Sequence, residues 1–268
     1  MRVLAFDGSP SDYQGSTTSI LTSFLDGMKQ AGAEVGLFHT RDLAINPCAA
    51  ELDCWLTTPG ACHQRDDMNR LYPKLRDADV WVLATPVHGH RISGRIANLL
   101  DRVLPLASPY MELRDGHSRH ALRYWRNSGQ VVLIATCALW EMDNFDPVLA
   151  HVRAASETIA RDFAGALLRP HEWALRTQAA KEAKEVLEAA REAGHQLVVD
   201  GKMASATLET VSRVLLPLER AVEVFNETLE QEVAFLGGHQ ARESRRRTSL
   251  LARIRPDRVT APPERSIV

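Results

Sequence analysis

The feature that most limits the fold is an alternation. Apolar runs "RVLAF" (2–6), "EVGLFH" (34–39), "DVWVLAT" (79–85), "QVVLIATC" (130–137) and "GALLRP" (165–170) recur with helical patterns between them. Each run reads as a buried strand. Between the first two, Ile20, Leu21, Phe24, Leu25 and Met28 share one helical face, and Gly32 closes that helix. Ile92, Ile96, Leu99, Leu100 and Val103 form a second stripe. A third helix is expected to begin with Asp146 as N-cap and Pro147 at its first position. Strands joined by helical crossovers run parallel, and a parallel sheet is covered on both faces. The expected fold class is therefore α/β, a three-layer, doubly wound five-stranded parallel sheet over residues 1–200.

Beyond residue 200 the chain is different in kind, and the change begins shortly before it. From Thr177 to about Ala193 the pattern "TQAAKEAKEVLEAAREAG" strongly favours helix. Residues 201–240 read as a C-terminal helical extension, apolar on one side and restarting at Pro217. It packs either on its own domain or on a partner subunit. Residues 241–268 read as an Arg-rich disordered tail. Eight Arg face three acids in 242–268, yet the whole chain carries a net charge of -2, so no nucleic-acid binding is expected. No apolar run approaches the ~20 residues that span a bilayer, and no signal-peptide pattern comes after Met1. A cytoplasmic protein without membrane contact is expected, its four Cys serving as thiols or ligands rather than disulfides.

The stretch "FDGSPSDYQGSTTSIL" (6–21) packs small and hydroxylated residues between the first strand and the first helix. Ligands of open parallel sheets sit beyond the carboxyl ends of the strands. A helix N-terminus there offers unpaired amides and a partial positive charge, which suits phosphate. Ser9, Ser11, Ser16 and Thr17 add hydroxyl donors, and no Lys or Arg is present. Alternatively, Ser16 merely caps the helix and the loop binds nothing. No G-x-G-x-x-G comes after the first strand and no G-x-x-x-x-G-K-[ST] occurs, which removes the usual dinucleotide and P-loop readings.

"GSP…GSTTSIL" and then "DADVWVLATPVHGHRISGRIANLLDR" together resemble the NAD(P)H-dependent FMN reductase family, close to its iron-sulfur flavoprotein branch. The resemblance covers roughly residues 1–200. It implies a flavodoxin-like fold with strand order 2-1-3-4-5 and FMN as cofactor. Ser9, Ser11, Gly15, Ser16 and Thr17 would face the phosphate, and Pro86, Val87, His88 and Gly89 would edge the ring. Thr136, Cys137 and Ala138 of "IATCALWEMDNFDP" would approach the flavin, although Cys137 reads equally as a buried small hydrophobe. Ser11 stands where many relatives carry a basic residue, and His88 where many carry an aromatic one.

The resemblance further implies hydride transfer from NADH or NADPH to the flavin, then ping-pong delivery to a small-molecule or protein electron acceptor. The flavin carries the chemistry, so no side chain is assigned as acid, base or nucleophile. The alternatives are an electron-transfer flavoprotein fed by a ferredoxin and a flavin-free relative that keeps only the fold. Assembly as a homodimer or homotetramer is implied. In the iron-sulfur branch, four Cys spaced C-x2-C-x2-C-x4–7-C hold a 4Fe-4S cluster. Here "NPCAAELDCWLTTPGACHQ" supplies Cys48, Cys54 and Cys62, with Glu51 at the second position and His63 beside the last. Three readings stay open: a cluster with one carboxylate ligand, a Zn²⁺ with Cys62 and His63 among its ligands, or no metal.

Overall fold

The structure, a computed structural model, describes residues 1–10, 15–123, 129–177 and 180–251. In chain order it begins with β1 (Arg2–Asp7), α1 (Ser16–Gln30), β2 (Glu34–His39), α2 (Asp53–Leu56), α3 (Met68–Asp77), β3 (Val80–Pro86) and α4 (Gly94–Asp101). Two strands, β4 (Ala107–Arg114) and β5 (His117–Leu122), precede β6 (Gly129–Thr136), α5 (Asp146–Thr158) and β7 (Arg161–Arg169). The chain continues through α6 (Ala174–Thr177), α7 (Ala180–Val199), α8 (Ser205–Ser212) and α9 (Leu218–Leu251).

Five strands form one parallel sheet in the order β2-β1-β3-β6-β7, the doubly wound 2-1-3-4-5 arrangement of a flavodoxin-like fold. Alternate residues of each strand point to opposite faces. Val3, Ala5, Val82, Ala84, Val132 and Ile134 pack with Phe24 of α1 and Ala190 of α7. Leu4, Phe6, Trp81, Leu83, Leu133 and Ala135 pack with Leu71 of α3, Ile96 of α4 and Val152 of α5. Both faces are dry, which is why the strands lack a polar alternation.

On the first face α1 and α7 meet backbone to backbone. A Cβ on Gly27 would lie 1.8 Å from the Arg191 carbonyl oxygen, and one on Gly194 would lie 2.0 Å from that of Phe24. Two glycines, each lodged against the other helix, set this approach.

Some elements differ from expectation. The β4–β5 hairpin stands apart from the main sheet and is antiparallel. Its turn is Asp115–Gly116, both at positive φ, the two-residue turn that Asp-Gly favours. The helix at Asp146 is capped by Phe145 rather than by Asp146, because a 3-10 turn, Met142–Phe145, runs directly into it. Strand β7 starts at Arg161, earlier than the apolar run, and carries a bulge where Gly165 takes φ +129. A first compact unit spans Met1–Leu216 and includes α8, beyond the boundary placed near residue 200. In the second unit, Pro217–Val268, α9 continues past residue 241 to Leu251; residues 252–268 of the expected disordered tail lie outside the described residues. Val222, Leu229, Val233 and Leu236 are exposed along α9. Among the described residues, no helix is long and apolar enough to cross a membrane.

Candidate functional site

A cavity of about 210 Å³ opens where the carboxyl ends of β3 and β6 meet the start of α1. Ser9, Pro10, Gly15, Ser16, Thr17, Pro86, Val87, His88, Thr136, Ala138 and Glu172 line it. Nine residues singled out from the sequence thus share one wall-to-wall space: Ser9, Gly15, Ser16, Thr17, Pro86, Val87, His88, Thr136 and Ala138. Ser11 lies outside the described residues. Gly89 and Cys137 are not among the residues that line the cavity. Gly89 sits in the tight turn His88–Arg91, where it and His90 both take positive φ and His88 and Arg91 bond reciprocally at 3.2 and 3.3 Å. Cys137 is buried in the core beside Phe145, and burial, the larger influence, raises its thiol pKa. Its backbone still shapes the site, since the Glu172 amide donates to the Cys137 carbonyl at 3.0 Å.

The floor is organised by Asp7, which sequence reasoning passed over. Its buried carboxylate accepts from the Ser9 amide at 2.9 Å and the Thr18 hydroxyl at 2.7 Å, and lies 3.2 Å from His39 Nδ1. These contacts bend the chain out of β1 and back onto α1. Gly8 makes the bend possible: its amide donates to the Ala84 carbonyl at 2.7 Å, and a Cβ there would meet Ile96 and Ser93 at 2.6 Å. Thr17 and Thr136 hydroxyls lie 2.6 Å apart, joining α1 to the end of β6. Ser16 Oγ donates to the Glu172 carbonyl at 3.0 Å. Gly15, the N-cap of α1, has no side chain with which to cap the first-turn amides, and Gly15, Ser16 and Thr17 at this helix start line the cavity. No Lys or Arg lines the space among the described residues. It can therefore hold an anion by amides, hydroxyls and the helix dipole only.

Behind Glu172 lies a buried histidine. His171 Nε2 accepts from the Leu215 amide at 3.1 Å and lies 2.9 Å from Arg169 Nη2, while the ring stacks on Trp140. Two donors aimed at one nitrogen require the neutral ring with its proton on Nδ1. Burial first, and the Arg169 charge second, push the His171 pKa down to about 4. Between that value and the ~6.5 of a free histidine, the unfolded chain holds a proton that the folded chain refuses. This contribution is full above pH ~6.5 and is lost as pH falls through about 4. We expect stability to denaturant to drop by up to about 3 kcal/mol across that window. A His171→Gln variant, which cannot titrate, should show a flatter profile, and equal slopes in both proteins would remove His171 as the cause.

The cysteine stretch folds against α4. Arg95, Asn98 and Arg102, on one face of that helix and the residue after it, donate to the carbonyls of Thr40, Ile45 and Asn46 at 3.2, 2.7 and 2.6 Å. Arg102 also forms a bidentate pair with Asp66 at 2.6 and 3.2 Å, both side chains buried. Burial works against the Asp66 carboxylate, but the Arg102 hydrogen bond and the Asn46 and Met68 amides outweigh it and hold its pKa below the ordinary range. Cys54 is buried, and its thiol pKa is raised by burial and then by Cys62 and Cys48 nearby. Cys48 is exposed, and it lines a second, largely apolar cavity of about 500 Å³ together with Trp81, Leu106, His120 and His151. Trp81 stands near the start of β3 and Pro86 at its end, so this larger cavity lies at the opposite end of the sheet from the first. Among the described residues, the compact group with metal-ligand atoms is Glu51, Cys62 and His63 rather than the three cysteines. A 4Fe-4S cluster takes four thiolates; three thiols and a carboxylate meet that requirement only in part.

Comparison with known proteins places this geometry. The family model for NADPH-dependent FMN reductases matches residues 1–123. An iron-sulfur flavoprotein of Archaeoglobus fulgidus is 31% identical over 102 residues, 38% of this chain and 48% of that protein. An iron-sulfur flavoprotein of Methanocaldococcus jannaschii is 28% identical over 134 residues, 50% of this chain and 68% of that protein. The match to the first of these spans about half that relative's length. Among solved structures, an FMN-dependent NADH-azoreductase from Bacillus anthracis in complex with FMN superposes with TM-score 0.57 at 12% identity, covering 74% of this chain and 99% of that one. An NAD(P)H:quinone oxidoreductase from Methanothermobacter marburgensis gives TM-score 0.52 at 14% identity, covering 74% and 96%. At such identities these structures speak to the fold alone. Over residues 1–123, which begin the flavodoxin-like sheet, the chain is thus similar to the NADPH-dependent FMN reductase family.

Proposed function

We propose that this chain is an FMN-dependent oxidoreductase that takes hydride from NADH or NADPH and passes electrons to a second, small-molecule or protein acceptor by ping-pong turnover. The observation that carries the reading is the convergence of Ser9, Pro10, Gly15, Ser16 and Thr17, of Pro86, Val87 and His88, and of Thr136 and Ala138 on one cavity. The residues fit the group. The amides at the start of α1 suit a phosphate monoester, each charge-assisted hydrogen bond contributing about 1.5–3 kcal/mol, and the Ser16 hydroxyl can join them by leaving the Glu172 carbonyl. The enclosed volume is below the ~300–1,000 Å³ usual for small-molecule pockets. It therefore suits the phosphate end, with the rings resting outward on the turn. When bound, FMN supplies the hydride and electron chemistry.

The chain's own residues bind and orient. Pro86 and Val87 present a stiff, small-residue edge, pinned by the Val87 amide donating to the Thr136 carbonyl at 2.7 Å. His88 is held by its tight turn at the rim, where its ring can pack on a flat ligand or donate to a carbonyl. Glu172 lines the same cavity and joins α1 to the end of β6 through its backbone, its carbonyl accepting from Ser16 and its amide donating to the Cys137 carbonyl. A single site occupied alternately by nicotinamide and acceptor gives parallel initial-rate lines. Intersecting lines, or apoprotein that takes up no added FMN, would overturn the proposal.

A second reading, an iron-sulfur electron-transfer flavoprotein fed by a ferredoxin, is favoured by Cys48, Cys54 and Cys62 and by the names of the sequence relatives. Visible spectra with iron analysis separate the two: a two-band yellow protein without iron supports the reductase, and broad brown absorption with iron supports the alternative. Homodimer or homotetramer assembly belongs to the same proposal. Its support is the exposed apolar residues spaced three and four apart along α9, a seam of the kind two helices share.

A further inference from the structure

We infer that Glu51, Cys62 and His63 form a mononuclear site for a divalent transition metal of the zinc type, in place of a sulfur-ligated cluster. The ligand atoms of these three side chains all lie within 4.8 Å of one another. In a tetrahedral zinc site, with Zn–S about 2.3 Å and Zn–N or Zn–O about 2.0–2.1 Å, neighbouring ligand atoms sit roughly 3.3–3.7 Å apart. Closing the observed group onto an ion therefore takes shifts of about an ångström at side-chain ends. Carboxylate, thiolate and imidazole together are a donor set that borderline cations such as Zn²⁺ accept and that iron-sulfur clusters rarely use.

The surroundings support the same assignment. The Glu51 carboxylate and His63 Nδ1 already face each other in direct contact, and an ion would sit between them. Cys62 Sγ accepts from Arg102 Nη2, a buried guanidinium, at 3.5 Å. Arg102 is itself held by Asp66 and the Asn46 carbonyl, so the sulfur meets a cation that cannot swing away. Glu51 and His63 are 33% and 48% exposed, which leaves a fourth position open to solvent. Between α2 and α3 the chain has no regular element longer than a turn. An ion there would tie residues 51 and 63 together and hold this segment against Arg102. The inference is independent of flavin binding.

The test uses the full chain, purified without oxygen and with whatever flavin it carries, stripped with chelator and then titrated with Zn²⁺ against a chromophoric competitor. One equivalent should bind. Cys62→Ser, His63→Gln and Glu51→Gln should each weaken it by at least about 100-fold, while Cys48→Ser and Cys137→Ser leave it unchanged. Co²⁺ added in place of Zn²⁺ should give d–d bands in the red, clear of flavin absorption, that vanish in His63→Gln. Because His63 is half exposed, this variant should fold, and an unchanged melting temperature of the stripped protein checks it. Three results would overturn the inference: no Zn²⁺ held against the competitor, several equivalents insensitive to these variants, or iron with acid-labile sulfide that survives His63→Gln.

Discussion

Ser16→Asp should bind FMN at least about 100-fold more weakly than the unaltered protein, while its affinity for riboflavin stays the same. The substitution sets a carboxylate at the first residue of α1, on the wall of the cavity where the phosphate is proposed to sit. A unit charge about 4 Å from a dianion costs several kcal/mol at the intermediate dielectric of a partly enclosed site. The same carboxylate suits a helix N-terminus, so the fold should survive the change. Ser16→Ala, which deletes one donor, should cost roughly ten-fold. Quenching of flavin fluorescence gives both affinities, and riboflavin is the informative control because it lacks the phosphate. Equal weakening of FMN and riboflavin would mean that α1 does not meet the phosphate at all.

Gly27→Val should destabilise the protein by about 3–5 kcal/mol, a large loss for one added apolar side chain. Overpacking is often absorbed by a side chain that turns aside. Here a Cβ would sit 1.8 Å from a backbone oxygen of Arg191, and only separation of α1 from α7 relieves it. That movement would open the apolar layer holding Phe24, Met28, Ala190 and Leu197. Gly194→Val should act alike from the other side, since its Cβ would meet the Phe24 carbonyl. The two effects should be less than additive, because one separation of the helices accommodates both. Equilibrium denaturation of the two single variants and the double variant measures this. A loss below about 1 kcal/mol in Gly27→Val would show that the helices already lie farther apart.

Much of this architecture is legible in the chain itself. The five apolar runs are strands because a sheet dry on both faces needs continuous apolar sequence, and their helical crossovers force parallel pairing. The β4–β5 hairpin escaped notice although "RDGH" at residues 114–117 contains the Asp-Gly turn signal. Its strands carry exposed Tyr110, Met111 and Leu113 and so lack the inward-facing pattern that marks a strand. The first-loop residues stood out for their small size and hydroxyls. Asp7 did not, because a lone acid at a strand end has no local signature until the chain turns back and presents Ser9, Thr18 and His39 to it.

The cysteine stretch shows the same limit from another side. Spacing along the chain suggests Cys48, Cys54 and Cys62 as partners, and the fold brings Cys48 and Cys62 near Cys54 while it also sets Glu51 against His63. Periodicity reports which side chains are buried, because burial acts residue by residue over a helical turn or a strand pleat. That local rule alone determined the α/β class, the number of sheet strands and the hydroxyl-rich first loop. Which distant residues meet depends on strand register and on how closely helices approach, as at Gly27 and Gly194. Only the tertiary structure decided that Glu172 reaches the first loop and that Arg102 stands beside Cys62, since both contacts join segments that no local pattern connects.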